Sequence, residues 1–343
     1  EDGIRDVERS RGLGDVYKRQ VLGLSGKVGD KVLWKTTWAF ALPAYLNSGA
    51  SGAAVNVGLN VAEAYGEWKI LDQVGLCVGR MLVPTALANI GIPSVKANHM
   101  LNPPLIITGG FNGALPPLPT FQTGVAIDVN YSGITANYML YNGELVGPTW
   151  LAGGNDAAQD VDKSKGGNIA IGYSGEVGPG KLTARAFYFQ EKSDLPGPEN
   201  QVYTLPGTTI TITMDDDSSI SGWGIGVAYN ADNYYGAIEY VNITTDPEDP
   251  NTDTTNSYGY YILAGGKFSS FDVGLRYDFI DWTDADAAKD YDTEYWVTLA
   301  VNYLINDNAT LGINYVYKQP EEPDGADYPN IDEIAVYMEL DLL

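Results

Sequence analysis

The strongest constraint on the fold of this chain is a strict two-residue alternation over Asp292–Lys318, DTEYWVTLAVNYLINDNATLGINYVYK. It predicts two β-strands joined at Asn306–Asn308, each with one apolar face and one mostly polar face. The apolar face of the first strand consists of Tyr295, Val297, Leu299, Val301 and Tyr303. The segment therefore predicts a β-sheet with one face toward water and one face in an apolar environment.

Aromatic residues stand at both ends of this apolar face. Tyr295 and Tyr303 are eight residues apart, which is about 26 Å along a strand at roughly 3.3 Å per residue. On a strand tilted by about 40°, the two Tyr residues are separated by roughly 20 Å along the barrel axis. This is close to the ~25 Å apolar band of a transmembrane barrel with its aromatic girdles. A soluble sandwich is the alternative. The positions expected in the girdles are Trp223, Tyr229, Phe271, Phe279, Tyr295, Tyr303, Tyr315 and Tyr317.

Composition excludes several classes of function. The chain has 343 residues and a formal net charge of −24, which argues against nucleic acid as a partner, because neutralising phosphates requires Lys and Arg. No run of ~18 apolar residues occurs, so no transmembrane helix is predicted, whereas barrel strands carry a weaker hydropathy signal. Cys77 is the only cysteine and cannot form an intrachain disulfide. We expect it to be a small buried or lipid-facing hydrophobic residue.

Residues 1–20 fall outside the strand pattern. The segment EDGIRDVERSRGLGDVYKRQ is charged and aperiodic, and it lacks the apolar core of a signal peptide. Its second half resembles translated adapter sequence that recurs at the ends of assembled metagenomic fragments. We therefore expect residues 1–20 to be a non-native leader and residues 21–343 to form one barrel domain. On this interpretation the natural signal peptide and the first strand are missing.

The order of strands and connections predicts the topology. About fifteen alternating segments follow one another between Val21 and Leu343. Short turns such as Asp72–Gln73 alternate with long loops such as Val83–Phe121, which is the connectivity of an up-and-down barrel. Such barrels have an even number of strands, so fifteen plus one missing strand predicts sixteen. The expected fold class is all-β, a transmembrane antiparallel up-and-down β-barrel.

The last predicted strand, Ile331–Leu343, keeps the alternation to the end of the sequence. Outer-membrane barrels typically finish on an aromatic residue in register with the lipid face. That position lies one residue past Leu343. We expect the natural chain to continue there with a terminal aromatic residue.

The N-terminal third resembles a known family. Within Val21–Pro84, the segments VLGLSGKVGDKVLWKTTWAF, AEAYGEWKI and VGLCVGRMLVP are similar to motifs of the phosphate-selective porin O/P family, and GVAIDVNYSGITANYMLYNG at Gly124–Gly143 resembles its next hairpin. The resemblance implies a sixteen-stranded homotrimer in the outer membrane of a Gram-negative bacterium, with a third loop that folds inward to constrict the pore. It also implies phosphate selectivity carried by a line of Arg and Lys, and this chain is poor in both.

Val83–Phe121 occupies the position of that constriction loop. It has no acidic residue and contains two Pro-Pro pairs, so a stiff, apolar loop of this length is expected to pack inside the barrel. Lys96 and His99 are its only charged or titratable groups. Together with Asn98 they are the expected constriction residues; a place on the solvated surface of the loop is the alternative.

Charged residues on the strands are expected to face the lumen, because a Lys or Arg facing lipid at the bilayer midplane costs about 2–4 kcal/mol. Five acids and three bases meet this description: Lys35, Glu63, Glu67, Asp128, Arg185, Asp272, Arg276 and Asp278. Carboxylates around a pore attract cations. The sequence predicts a water-filled channel for ions and small hydrophilic solutes with a modest preference for cations. An anion- or phosphate-selective channel is the alternative within this class.

Other classes of function find less support. His99 is the only histidine, and no GxSxG, Walker A or zincin motif occurs, so catalysis is not expected. No cofactor or metal site is expected either, because acidic clusters such as Asp215–Asp217 lack EF-hand spacing. The expected partners are the lipid bilayer, lipopolysaccharide and the transported solutes. The 24 Tyr and 7 Trp also suit a non-conducting surface β protein for adhesion or glycan binding.

Overall fold

The structure is a computed structural model, and it describes residues 20–41, 58–87, 104, 106, 118, 121–142, 165–194, 201–205, 208–212, 217–247, 254–281, 293–306, 309–320 and 331–340. These ranges contain seventeen β-strands. In this part of the chain, no helix has the length and hydropathy needed to cross a bilayer.

The strands are numbered in chain order. The first eight are β1 (Gln20–Val28), β2 (Val32–Ala41), β3 (Gly58–Leu71), β4 (Val74–Leu82), β5 (Phe121–Tyr131), β6 (Ile134–Tyr141), β7 (Gly166–Val177) and β8 (Gly180–Asp194). Two short strands follow, β9 (Gln201–Leu205) and β10 (Thr208–Ile212). The last seven are β11 (Asp217–Ala231), β12 (Tyr234–Pro247), β13 (Thr255–Phe268), β14 (Phe271–Asp281), β15 (Thr293–Asn306), β16 (Ala309–Pro320) and β17 (Ile331–Leu340).

Fifteen of these strands form one antiparallel sheet in which each strand pairs with the next along the chain. The one exception is β8, which pairs with β11, because β9 and β10 pair only with each other. The predicted antiparallel up-and-down β-barrel of about fifteen strands is confirmed. A further strand before β1 stays a prediction.

Tight turns close one end of the strand pairs. Ser132 and Gly133, between β5 and β6, have φ angles of 49° and 82°. Two consecutive positive φ angles are what a two-residue hairpin turn requires to match the twist of its strands. Long connections follow β4, β6 and β8 at the opposite end. The alternation of short turns and long loops predicted from the sequence is therefore present.

The two faces of the sheet are inverted relative to a soluble protein. Apolar side chains on one face are exposed, including Ile171 (57%), Ile262 (48%) and Ile313 (49%). A sandwich would bury them between two sheets, so their exposure excludes that alternative for these strands. The opposite face is buried and rich in polar groups: Gln122, Asn168, Glu191, Glu239, Asp272, Arg276, Asp278, Glu294, Thr298, Asn302 and Asn314. An apolar outside and a polar inside are what a barrel in lipid requires.

The structure differs from the sequence prediction between β8 and β11. The sequence predicts an irregular loop over Gln190–Ser219, whereas β8 continues to Asp194, β11 begins at Asp217, and the residues between them contain the β9–β10 hairpin. Each hairpin strand is only five residues long. An alternation of Thr, Ile and Val over so few residues is too short to distinguish a strand from a polar loop.

A charge placed on the exposed face tests the assignment of the two faces. We expect Ile171→Lys to destabilise the folded barrel in phospholipid vesicles by about 2–4 kcal/mol if the side chain lies near the bilayer midplane. Thr135→Lys, on the inner face of the neighbouring strand β6, is the matched control and should change stability little. Urea unfolding from vesicles, followed by Trp fluorescence, measures both; equal effects would contradict the assignment.

Candidate functional site

The segment that follows β4 turns into the barrel. Val83, Thr85, Ala86 and Leu87 are all fully buried. The segment reaches the wall on β8 and β12, because Arg185 Nε donates to the Thr85 carbonyl oxygen at 2.8 Å and Leu87 N–H donates to Glu239 Oε1. These contacts join residues 100 and 152 positions apart in the chain. The predicted inward fold of the third loop is confirmed for its described residues.

Two further points of this loop lie against the same side of the barrel. Ile106 and Leu118 belong to one buried cluster with Ala86 and Leu87. The wall residues of that cluster come from β7, β8 and β11–β16: Ala170, Phe187, Phe189, Ile220, Ala228, Tyr235, Ala237, Val241, Ile243, Tyr261, Leu263, Ile280, Trp296, Ala300 and Val316. The described residues of the loop thus share one buried cluster with the inner face of β7, β8 and β11–β16.

The predicted constriction residues Lys96, Asn98 and His99 lie outside the described residues. Their role at the narrowest point of the lumen therefore stays a prediction. The structure does describe the start of the same loop, where the carbonyl oxygens of Pro84 and Thr85 accept hydrogen bonds from Arg185.

The inner face of β2–β6 carries carboxylates beside open space. Glu63 pairs with Lys35 at 2.8 Å and accepts a hydrogen bond from Thr37 Oγ1 at 3.0 Å. Asp128 accepts hydrogen bonds from two uncharged groups, the Cys77 thiol at 3.3 Å and the Asn137 amide. Cys77 is therefore buried, and it faces inward rather than toward lipid.

Two adjoining clefts run along this part of the wall. One has a volume of about 220 Å³ and is lined by Glu63, Glu67 and Asp128 together with apolar side chains. The other, of about 270 Å³, is lined by Asp128, Asn137 and Arg185 among others. Pro84, at the start of the constriction loop, borders both clefts. The open space and the carboxylates therefore lie on the same side of the loop.

The charges on the opposite inner face are paired at short range. Arg276 Nε donates to Asp278 Oδ2 at 2.7 Å, and both side chains are almost completely buried. Tyr235 donates to Asp272 Oδ1 at 2.8 Å. Since an isolated charge cannot be buried without a large desolvation penalty, these pairings are what allow charged side chains to stay on a buried inner face.

The same inner face holds charged residues that the sequence analysis did not single out. Lys318 pairs with Glu333 at 2.7 Å and lies 4.5 Å from the centre of the Trp296 ring. Glu239 and Glu294 are 1% exposed. The alternation identifies them in retrospect, since Glu239 lies between Ile238 and Tyr240 on β12 and must face away from them.

The predicted girdle residues lie on the exposed face in two groups. Near the short turns, Phe271 contacts Tyr303 with ring centres 5.2 Å apart, and Tyr229 stacks on its neighbour Tyr234 at 5.9 Å. Toward the long loops, ring contacts across β11–β16 involve Trp223, Phe279, Tyr295 and Tyr317, and Tyr315 lies two residues before Tyr317. Their contact with the bilayer interface stays a prediction.

Solved structures of outer-membrane proteins are similar to this chain in fold. No protein-family model matches the sequence, and no curated protein matches it. The fold is similar to solved structures of OmpT, an outer membrane protein of Vibrio cholerae (TM-score 0.61, 11% identity, 94% of this chain and 89% of that chain), and of Pseudomonas putida OprB (0.59, 13%, 94% and 87%). It is also similar to an anion-selective porin from Comamonas acidovorans (0.56, 13%, 94% and 88%).

The fold is that of the outer-membrane porins. At these identities the likeness concerns the architecture, and the residues that line the lumen of this porin-like barrel have to be interpreted from its own geometry. Among the described residues, the loop packs into a buried cluster with β7, β8 and β11–β16, and the open clefts lie beside it along β3–β8.

Removing one member of the buried ion pair tests whether pairing stabilises the inner face. We expect Arg276→Ala to lower the free energy of unfolding by about 3–5 kcal/mol, because the buried Asp278 carboxylate would lose its ion pair with Arg276. The double variant Arg276→Ala/Asp278→Ala should recover part of the loss. Lys318→Ala is the matched control: its partner Glu333 has a side chain 41% exposed, so the loss should stay near 1 kcal/mol or below. Urea unfolding measures all three variants, and equal losses for the single and double variants would contradict the interpretation.

Proposed function

We propose that this protein is an outer-membrane porin of a Gram-negative bacterium that lets ions and small hydrophilic solutes diffuse through a water-filled channel, with a preference for cations. The observation that carries this proposal is the inverted sheet. Its exposed face is apolar with aromatic rows, and its enclosed face carries Glu, Asp, Arg, Asn and Thr side chains. Such an arrangement is stable only with hydrocarbon outside and polar groups or water inside.

The distribution of charge supports the preference for cations. Along the clefts, Glu63 is balanced by Lys35, whereas Asp128 receives hydrogen bonds from a thiol and an amide, which bring no positive charge. Glu67 adds a third carboxylate to the lining. Arg185 borders one of the clefts beside Asp128, and its guanidinium is bound to the loop carbonyls of Pro84 and Thr85. Counted with Lys35, two cations therefore stand against the three carboxylates of this region. An aqueous passage lined this way has a negative potential, which raises the local concentration of cations.

Partners beyond the solute belong to the same proposal. The exposed aromatic rows fit the two interfaces of a lipid bilayer, and the acidic loops suit cation-bridged contact with lipopolysaccharide.

A homotrimer is supported by the exposed face of β2–β5, where Thr36, Ala64, Arg80 and Thr123 form one row by register. An arginine and small residues fit a protein neighbour better than lipid. The V. cholerae OmpT fold also occurs in a trimer form.

An anion- or phosphate-selective channel of the O/P type is the second candidate. It is supported by the resemblance of the first strands to that family and by the structural similarity to an anion-selective porin. The arrangement of the described cations weighs against it, because Lys35, Arg276 and Lys318 each pair with a carboxylate.

A non-conducting surface β protein is the candidate from another class; the open clefts beside the loop favour a channel over it. Catalysis is not part of the proposal.

Reversal potentials in planar bilayers with a KCl gradient test conduction and selectivity together. We expect the wild-type channel to prefer K⁺, and the variant Glu67→Gln/Asp128→Asn to move the reversal potential toward zero, because two carboxylates of the cleft lose their charge. Asp246→Asn is the matched control. It removes a charge from an exposed site at the end of β12, where screening beyond about 8–10 Å should leave the potential nearly unchanged.

A wild-type channel that prefers Cl⁻ and is blocked by phosphate would replace the cation preference with the second candidate. A folded barrel that does not conduct would support the non-conducting surface protein instead.

A further inference from the structure

Three inner-wall residues on adjacent strands form a single row. Gly226 on β11 lies directly opposite Arg185 on β8 and Glu239 on β12 in the strand register. Residues paired this way point to the same side of a sheet, and neighbouring strands are about 4.8 Å apart. The row therefore presents a cation and an anion with a gap between them where Gly226 has no side chain.

The start of the constriction loop is complementary to this row. Arg185 donates to the carbonyl oxygens of Pro84 and Thr85, and Glu239 accepts from the N–H of Leu87. A cation meets two acceptors and an anion meets a donor, so both contacts are charge-assisted and stronger than bonds between neutral groups. Because the partners on the loop are backbone groups, the contact depends on where the loop runs and not on which side chains it carries.

Leu87 occupies the gap between the two charged residues. A Cβ atom added at Gly226 would lie 2.5 Å from Leu87 Cδ1 and 3.0 Å from its Cγ. Both distances are too short for carbon atoms in contact, which prefer about 3.5–4.0 Å. Leu87 itself is fully buried in the cluster that joins the loop to β7–β16. The glycine thus permits the close approach of loop and wall.

We propose that Arg185, Gly226 and Glu239 form a latch that positions the constriction loop against the β8–β12 wall and thereby sets the width and the location of the passage. The inference rests on the proposed channel function and deepens it. Arg185 and Glu239 act as positioning residues: their charges hold the loop, and the passage runs along the carboxylate-lined clefts, one of which Arg185 borders. Opening the latch lets the loop leave the wall and alters the conducting cross-section.

Exchanging the two charges tests the latch at constant net charge of the row. Arg185→Glu/Glu239→Arg keeps the net charge of the row but places an anion against the two carbonyls and a cation against the N–H. We expect a shift in single-channel conductance and larger current fluctuations relative to wild type. Glu239→Gln, which keeps an oxygen acceptor for Leu87 N–H but removes the charge, should shift the conductance in the same direction by a smaller amount.

A second pair of variants tests the gap without changing any charge. Gly226→Ala should displace Leu87 and shift the conductance in the same way, and Leu87→Ala added to it should restore the wild-type value by removing the clash. Gly224→Ala is the matched control on the same strand and face, because its added methyl group meets Phe187 and the Tyr240 carbonyl oxygen and not the loop segment 83–87. Heat-modifiable electrophoretic mobility verifies that each variant is folded.

The possible outcomes distinguish a failure of the latch proposal from a failure of the proposed channel function. A conducting wild type with unchanged conductance in both the charge exchange and Gly226→Ala would overturn the latch while leaving the proposed function intact. Restoration by Leu87→Ala supports the latch, and absence of restoration overturns it. If the charge exchange fails to fold, the Gly226 and Leu87 variants decide alone. A wild type without conductance would overturn the proposed function itself.

Discussion

The structure depends on one constraint, the need to satisfy every backbone N–H and C=O within the barrel wall. In hydrocarbon no water is available to these groups, so neighbouring strands must supply the partners. The fifteen-stranded ladder does this with nearly continuous antiparallel pairing. Because a strand alternates its side chains between two faces, the same ladder forces apolar residues outward and leaves every second residue facing the interior. The inverted polarity is a direct result.

An enclosed polar face creates a second requirement, since each inward polar group needs a partner or water. The described charged groups meet it in two ways. Along β7–β16 the described loop residues pack into a buried cluster on the wall, and ion pairs such as Arg276–Asp278 neutralise buried charges. Along β2–β6 open clefts remain, where Asp128 accepts hydrogen bonds from uncharged donors. The interior is thus asymmetric, and the proposed preference for cations rests on this asymmetry.

Much of the fold could be predicted from alternation alone. The strands β14–β16, the order of short turns and long loops, and the inward fold of the third loop were all predictable, because each follows from a period or a composition that extends over many residues. The β9–β10 hairpin was not, since five-residue strands give too weak a pattern. Of the site, the inward position of Arg276 or Asp128 could be inferred from their own strands. Glu239 has the same signal between Ile238 and Tyr240, but its role depends on a partner 152 residues away.

The sequence by itself therefore determined which side chains face lipid and which face the interior, because that choice is made locally, residue by residue, by the two-residue period of a strand. Only the tertiary structure decided which interior charges meet one another, which of them hold the loop, and on which side open space remains. Those outcomes depend on strand register and on the path of the loop across the lumen. Both bring together residues with no periodic relation in the chain, as the contact of Leu87 with Gly226 and Glu239 illustrates.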